Sequence, residues 1–93
     1  MIKSFKCKET EKIFNRNYSK KFSKEINELS FRKLRMLNRA TVINDLKVPP
    51  GNKLEKLKGD RKGQYSIRIN NQFRICFDWS GQDASNVEIV DYH

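Results

Sequence analysis

Ninety-three residues, 37% of them hydrophobic, suffice for one compact domain over 1–93 and exclude a second. A formal charge of +9 with no membrane-length apolar stretch points to a cytoplasmic protein with an anionic partner and no membrane association. Cys7 and Cys76 fit no metal-ligand spacing, so neither metal nor cofactor is expected; no apolar leader follows Met1–Lys6, so reduced thiols are expected.

The charge is unevenly placed. Residues 1–40 carry twelve Lys/Arg against four Asp/Glu, residues 41–63 six against three, and residues 64–93 two against four. Such a field attracts polyanions, chiefly nucleic acid, an anionic membrane surface or an acidic protein.

In chain order, residues 2–6 alternate weakly and predict a short strand. Glu9 and Glu11 then suit a helix N-terminus ahead of Ile13 and Phe14. Asn15–Lys21 is polar and basic, a connection. From Ser23, a capping residue, the spacing predicts a helix whose apolar face is Ile26, Leu29, Leu34 and Leu37. Glu28, Arg32, Arg35 and Arg39 form a separate stripe, most simply a solvated face, with Glu28 and Arg32 placed for an i,i+4 pair. Thr41–Leu46 adds a further helical turn, and Pro49-Pro50-Gly51 stops it.

After this loop the period becomes two. Tyr65, Ile67 and Ile69 alternate with Ser66, Arg68 and Asn70; Phe73, Ile75 and Phe77 alternate with Arg74, Cys76 and Asp78. These predict two half-buried strands around the turn Asn70-Asn71-Gln72. A last strand is expected through Val87–Val90 after a Ser80–Ser85 loop. Two helices, three consecutive strands and a strand in front argue for an α+β domain with helices on one sheet face.

Parity then sets the hairpin register. A three-residue loop places Ile67 opposite Ile75, Ile69 opposite Phe73 and Tyr65 opposite Phe77, all on the core side. The other face receives Arg68 directly opposite Arg74, a like-charge pair that either water screens or an anion bridges. Cations crowd the preceding segment, with Lys53, Lys56, Lys58 and Arg61. The chain closes on Asp91-Tyr92-His93, which includes its only histidine.

These residue types suit metal-free RNA cleavage, in which the 2′-hydroxyl attacks the neighbouring phosphate. That reaction needs a base, an acid and cations on a phosphorane-like transition state. Glu55, Asp91, Tyr92 and His93 offer acid–base groups; Lys58, Arg61, Arg68 and Arg74 offer cations. Tyr92 also offers a ring on which an unpaired base can stack. The same residues equally suit an idle surface, so composition permits the chemistry without specifying it.

Three stretches carry a family resemblance: Pro49-Pro50-Gly51-Asn52-Lys53-Leu54-Glu55-Lys56-Leu57-Lys58-Gly59, Gly63-Gln64-Tyr65-Ser66-Ile67-Arg68-Ile69-Asn70, and Gln72-Phe73-Arg74-Ile75-Cys76-Phe77-Asp78-Trp79. Together with the ends Met1–Lys6 and Val87–His93, they resemble the HigB or "killer protein" branch of the RelE-like toxins over nearly the whole chain. The resemblance implies a RelE-like fold, with an N-terminal strand and two helices packed on a mainly antiparallel sheet. It implies a type II toxin that enters the ribosomal A site and cleaves mRNA there, halting translation and growth. It also implies a HigA-like helix-turn-helix antitoxin, through which the pair binds operator DNA. Catalytic roles map onto Asp91, Tyr92 and His93, and onto Lys58 and Arg74. Some HigB toxins have a catalytic histidine in a Lys-Leu-His-Pro-Leu-Lys-Gly stretch. Glu55 stands at that place here, and a carboxylate is a weaker base than imidazole at neutral pH. Related ParE-like toxins share the fold and block DNA gyrase without cutting RNA, so a non-nucleolytic inhibitor is the rival expectation, and a nucleic-acid-binding co-repressor a third.

Overall fold

The computed structural model describes residues 1–91. Helix α1 (Lys8–Phe14) has Glu9 and Glu11 in its first turn and buries Thr10 and Ile13. Helix α2 (Lys24–Arg39) starts where the Ser23 hydroxyl accepts the Ile26 N–H at 3.1 Å, a side-chain cap for an otherwise orphaned donor. It buries Ile26, Leu34 and Leu37. Asn27 pins the polar connection between the helices. Its Oδ1 accepts from Ser19 N at 2.9 Å, and its Nδ2 donates to the carbonyls of Ser19 and Ser23 at 3.0 and 2.8 Å. The pair expected between Glu28 and Arg32 is not among the ion pairs of the described residues. An exposed pair of this kind gains little to hold it closed.

The sheet has the order β1-β2-β3-β4, built from Glu55–Lys56, Gln64–Arg68, Phe73–Ser80 and Asp83–Asp91, with every neighbouring pair antiparallel. The β2–β3 register sets Tyr65 opposite Phe77, Ile67 opposite Ile75 and Arg68 opposite Arg74, as parity requires. Beyond the paired residues, Ile69 N donates to the Phe73 carbonyl at 2.9 Å. The Asn70 side chain closes the turn by accepting from the N–H groups of Gln72 and Phe73. Both helices lie on one face of the sheet, where Ile13, Leu34 and Leu37 join Ile67, Ile75, Phe77, Ala84, Val87 and Ile89 in one core.

Two expectations need correction. The predicted Ser80–Ser85 loop is strand: β3 and β4 meet at a two-residue turn, Gly81-Gln82, in which Gly81 takes φ +63°, a turn geometry that favours glycine. The segment 2–6 is not a continuous strand but touches β4 at two parallel bridges, Ile2 to Ala84 and Phe5 to Val87. One irregularity explains both. Between Cys76 and Asp78 the β3–β4 register shifts by one residue, and Asn86 adopts φ +52°. This bulge flips the alternation of β4, so Ala84 and Val87, three apart, both face the core. Ile2 and Phe5 copy the same three-residue step beside them. Strand β1 and three short 3-10 turns, Ile43–Lys47, Pro50–Asn52 and Gly59–Arg61, complete the chain between α2 and β2, the first of them standing where a further helical turn was expected. No helix among the described residues is long and apolar enough to cross a membrane, and both cysteines are free.

Candidate functional site

The sheet face turned away from the helices is organised in rows. One row crosses all four strands as Glu55, Ser66, Cys76 and Glu88; the next holds Arg68, Arg74 and Val90. Alternation along each strand puts these side chains on one face. Ser66 and Cys76 in the middle are fully buried, so this face is roofed rather than bare. Burial pushes the Cys76 thiol above its ordinary value against the pull of Arg61 and Arg74, with Glu88 and Glu55 pushing in the same direction as burial. The thiol sits between Ser66, to which Arg74 is bonded, and Glu88, to which Arg61 is bonded, with Glu55 at the end of the same row.

Arg74 is tightly held. Its Nε donates to Ser66 Oγ at 2.8 Å, and its Nη2 donates to the carbonyls of Lys53 at 2.6 Å and Ser66 at 3.4 Å. Two anchored nitrogens fix the plane of a guanidinium, whose donors otherwise sweep a wide cone. Arg68 is tied elsewhere: its Nε donates to the Asn70 carbonyl at 3.1 Å, and its Nη2 bonds the Asn71 side chain.

Arg61 ends the Gly59–Arg61 turn and donates from Nη1 to Gln64 Oε1 at 3.1 Å and to Glu88 Oε2 at 3.4 Å. Lys6 reaches the same Glu88 oxygen at 3.4 Å. Glu88 thereby ties the N-terminal segment and the 59–61 turn to β4. Beside them lies a polar cleft of about 490 Å³ lined by Lys6, Asp60, Arg61, Lys62, Gln64 and Asp78. Lys58 is exposed and lines a neighbouring cavity with Lys56, Leu57, Gly59 and Lys62. Glu55 is exposed on β1, opposite Ser66.

Of the predicted site residues, the structure brings Arg74, Arg61 and Glu55 around Cys76, and keeps Arg68 at the hairpin tip and Lys58 on the rim. Asp91 pairs with Phe73, one residue past the Arg74–Val90 row, and so falls on the helix side of the sheet. There it accepts from Gln72 Nε2 at 3.2 Å and lines a cleft with Lys21, Phe22, Phe73 and Ile89. Tyr92 and His93 lie outside the described residues. Among the described residues no group of three or more His, Cys, Asp or Glu side chains is placed to hold a metal ion. The sequence reasoning missed Ser66, the Lys53 carbonyl and Glu88. Parity alone places Ser66 on the arginine face, whereas a backbone carbonyl leaves no trace in side-chain chemistry.

Comparison with known proteins agrees with this architecture. The HigB-like toxin family, described as the RelE-like toxin of type II toxin-antitoxin system HigB, matches residues 3–93. Toxin HigB-1 of Vibrio cholerae serotype O1 is 48% identical over 56 residues; the match spans 60% of this chain and 59% of that protein, less than two thirds of its length. Endoribonuclease HigB of Proteus vulgaris is 34% identical over 94 residues, 100% of each chain. The YoeB–YefM complex from Staphylococcus aureus contains a chain of the same fold, with a TM-score of 0.62 at 24% identity over 100% of this chain and 95% of that one. The match of nearly every residue to one family profile decides the assignment: the chain belongs to the HigB-like family, the RelE-like toxins of type II toxin–antitoxin systems.

Proposed function

We propose that this protein is a growth-inhibiting toxin that acts in the cytoplasm as a metal-independent, ribosome-dependent endoribonuclease on mRNA, neutralised by a HigA-like helix-turn-helix antitoxin. The observation that carries the reading is Arg74, whose guanidinium is anchored over Ser66 and Lys53 on the sheet face that also carries Glu55 and holds Arg61 through Glu88. An oriented guanidinium is the group that cleavage by 2′-hydroxyl attack needs, because negative charge builds on the phosphate oxygens in the transition state. The end-to-end likeness to a protein named endoribonuclease HigB supports the same reading.

In this mechanism Arg74 stabilises the phosphorane-like charge, while Lys58, Arg61 and Arg68 hold flanking phosphates. Glu55 and the closing Asp91-Tyr92-His93 supply the base that takes the 2′-proton and the acid that protonates the departing 5′-oxygen. The ribosome contributes by holding mRNA in line for attack, which replaces positioning that a domain of this size lacks. The net charge of +9 suits both RNA and an acidic or sterically matched antitoxin, through which the pair reaches operator DNA.

The test is a purified translation reaction with the 5′ ends of mRNA mapped. Cuts that require ribosomes and slow steeply, but remain measurable, with Arg74→Ala are the expected result. Intact transcripts with arrested gyrase supercoiling would transfer the assignment to a ParE-like inhibitor. Salt-sensitive binding with neither effect would leave a co-repressor.

A further inference from the structure

Asn52 is fully buried in the short turn ahead of β1, although it is polar and lies in a loop. Its Nδ2 donates to the carbonyls of Leu46 at 3.1 Å and Val48 at 3.4 Å, and its Oδ1 accepts from the Lys33 ammonium on α2. Burial also lowers the pKa of Lys33. A buried amide costs free energy unless every partner is in place. This one specifies the path of one stretch of backbone relative to α2.

The residue that follows shows what this path delivers. Lys53 sits at φ +44°, a left-handed conformation that a side-chain-bearing residue adopts only when its surroundings enforce it. Its N–H donates to the Pro50 carbonyl at 3.1 Å, and its own carbonyl receives Arg74 Nη2 at 2.6 Å. The carbonyl is the second of the two anchors that set the guanidinium plane, Ser66 being the first.

We propose that Asn52, held by Lys33, is a positioning residue for Arg74: it fixes the Lys53 carbonyl and thereby aims the guanidinium. The catalytic side of this proposal rests on the nuclease reading, whereas its structural side does not, and two measurements keep them apart. The first is NMR of the Arg74 side chain in the whole protein. Two separate Nη resonances, signalling slow rotation about Nε–Cζ, are expected in the wild type and should merge in Asn52→Ala. Equal rotation in both proteins overturns the proposal whether or not the protein cuts RNA.

The second is ribosome-dependent cleavage in a double-mutant cycle. A misaimed group costs on the order of 10–100-fold, so Asn52→Ala should lower kcat by that factor with KM nearly unchanged. In an Arg74→Ala background it should cost nothing further. The same fractional loss in both backgrounds would reduce Asn52 to a purely structural residue and overturn the proposal, as would an unchanged kcat in the single variant. If Asn52→Ala does not fold, Lys33→Met takes its place, since it removes one partner and leaves the amide–carbonyl bonds; the same pattern at smaller amplitude is expected. A wild type that cuts nothing removes the nuclease reading, and the NMR result then decides the positioning by itself.

Discussion

Arg68 and Arg74 are direct partners across β2 and β3, yet their guanidiniums are tied in opposite directions along the strands. Arg68 reaches forward to Asn70 and Asn71 at the hairpin tip; Arg74 reaches back to Ser66 and across to Lys53. A like-charge pair directly across two strands is destabilising. Here each charge is drawn to its own set of oxygen acceptors, which offsets the repulsion between them.

The two arginines should therefore separate by experiment. Arg74→Ala is expected to lower the rate of mRNA cutting by about 10²–10³-fold, the usual loss when a transition-state donor is removed. Arg68→Ala should leave the maximal rate within a few-fold, weaken RNA binding and reduce the salt slope of that binding by about one. Equal losses of maximal rate in both variants would contradict the division of labour drawn here.

Much of this pairing was legible beforehand. Alternation in 65–69 and 73–77 gives the hairpin register and the facing arginines, because one buried face leaves a strand no other choice. The helix 24–39 was equally plain from Ile26, Leu34, Leu37 and the Ser23 cap. What could not be read was the bulge at Asn86. It replaces a period of two with steps of three in both Ile2–Phe5 and Ala84–Val87, so one strand resembled a loop and a pair of bridges resembled a strand. The site was half legible for a similar reason. Charged side chains advertise themselves, but the Lys53 carbonyl and the buried Asn52 act through backbone geometry that depends on contacts far away in the chain.

Thr10 offers a stability test of how the first helix is attached to the sheet. Its hydroxyl is fully buried and accepts the Ile89 N–H at 3.1 Å, joining α1 to the strand that leads into Asp91. Thr10→Val keeps the shape and leaves that N–H without an acceptor, which costs about 1–3 kcal/mol. Urea unfolding should show this loss, with faster amide exchange at Ile89. An unchanged midpoint would mean that the N–H finds another acceptor.

Asp45 predicts part of the acid limb of stability. Its carboxylate accepts from the N–H groups of Thr41 and Val42 at 2.9 and 3.3 Å, and these bonds hold its pKa below the ordinary value despite a small opposing effect of desolvation. A lowered folded-state value means that the ionised form stabilises the fold at neutral pH. The contribution is complete above the ordinary aspartate range and is lost as pH falls through the folded value. Asp45→Asn should therefore lower the urea midpoint at pH 7, with the gap to wild type closing in strong acid. A gap that stays constant with pH would assign the effect to packing instead.

Glu55 tests whether the departure from the family's histidine changes the chemistry. It is exposed on the edge strand, opposite Ser66 and in the row that continues through Cys76 to Glu88, on the same face as Arg74. Among the described acids on that face Glu55 is the most open: Glu88 is committed to Arg61 and Lys6, and Asp78 is half-buried and accepts from Asn86 Nδ2 at 2.7 Å. Glu55→Gln keeps size and polarity but removes the base, and should slow cutting at neutral pH by about 10²-fold or more, the lower range for general-base catalysis. Glu55→His should restore much of the rate and impose a pH dependence centred near the imidazole range, roughly 6.5. If both variants cut at the wild-type rate with the same pH profile, Glu55 leaves the catalytic set, and the base must come from the closing residues after Val90.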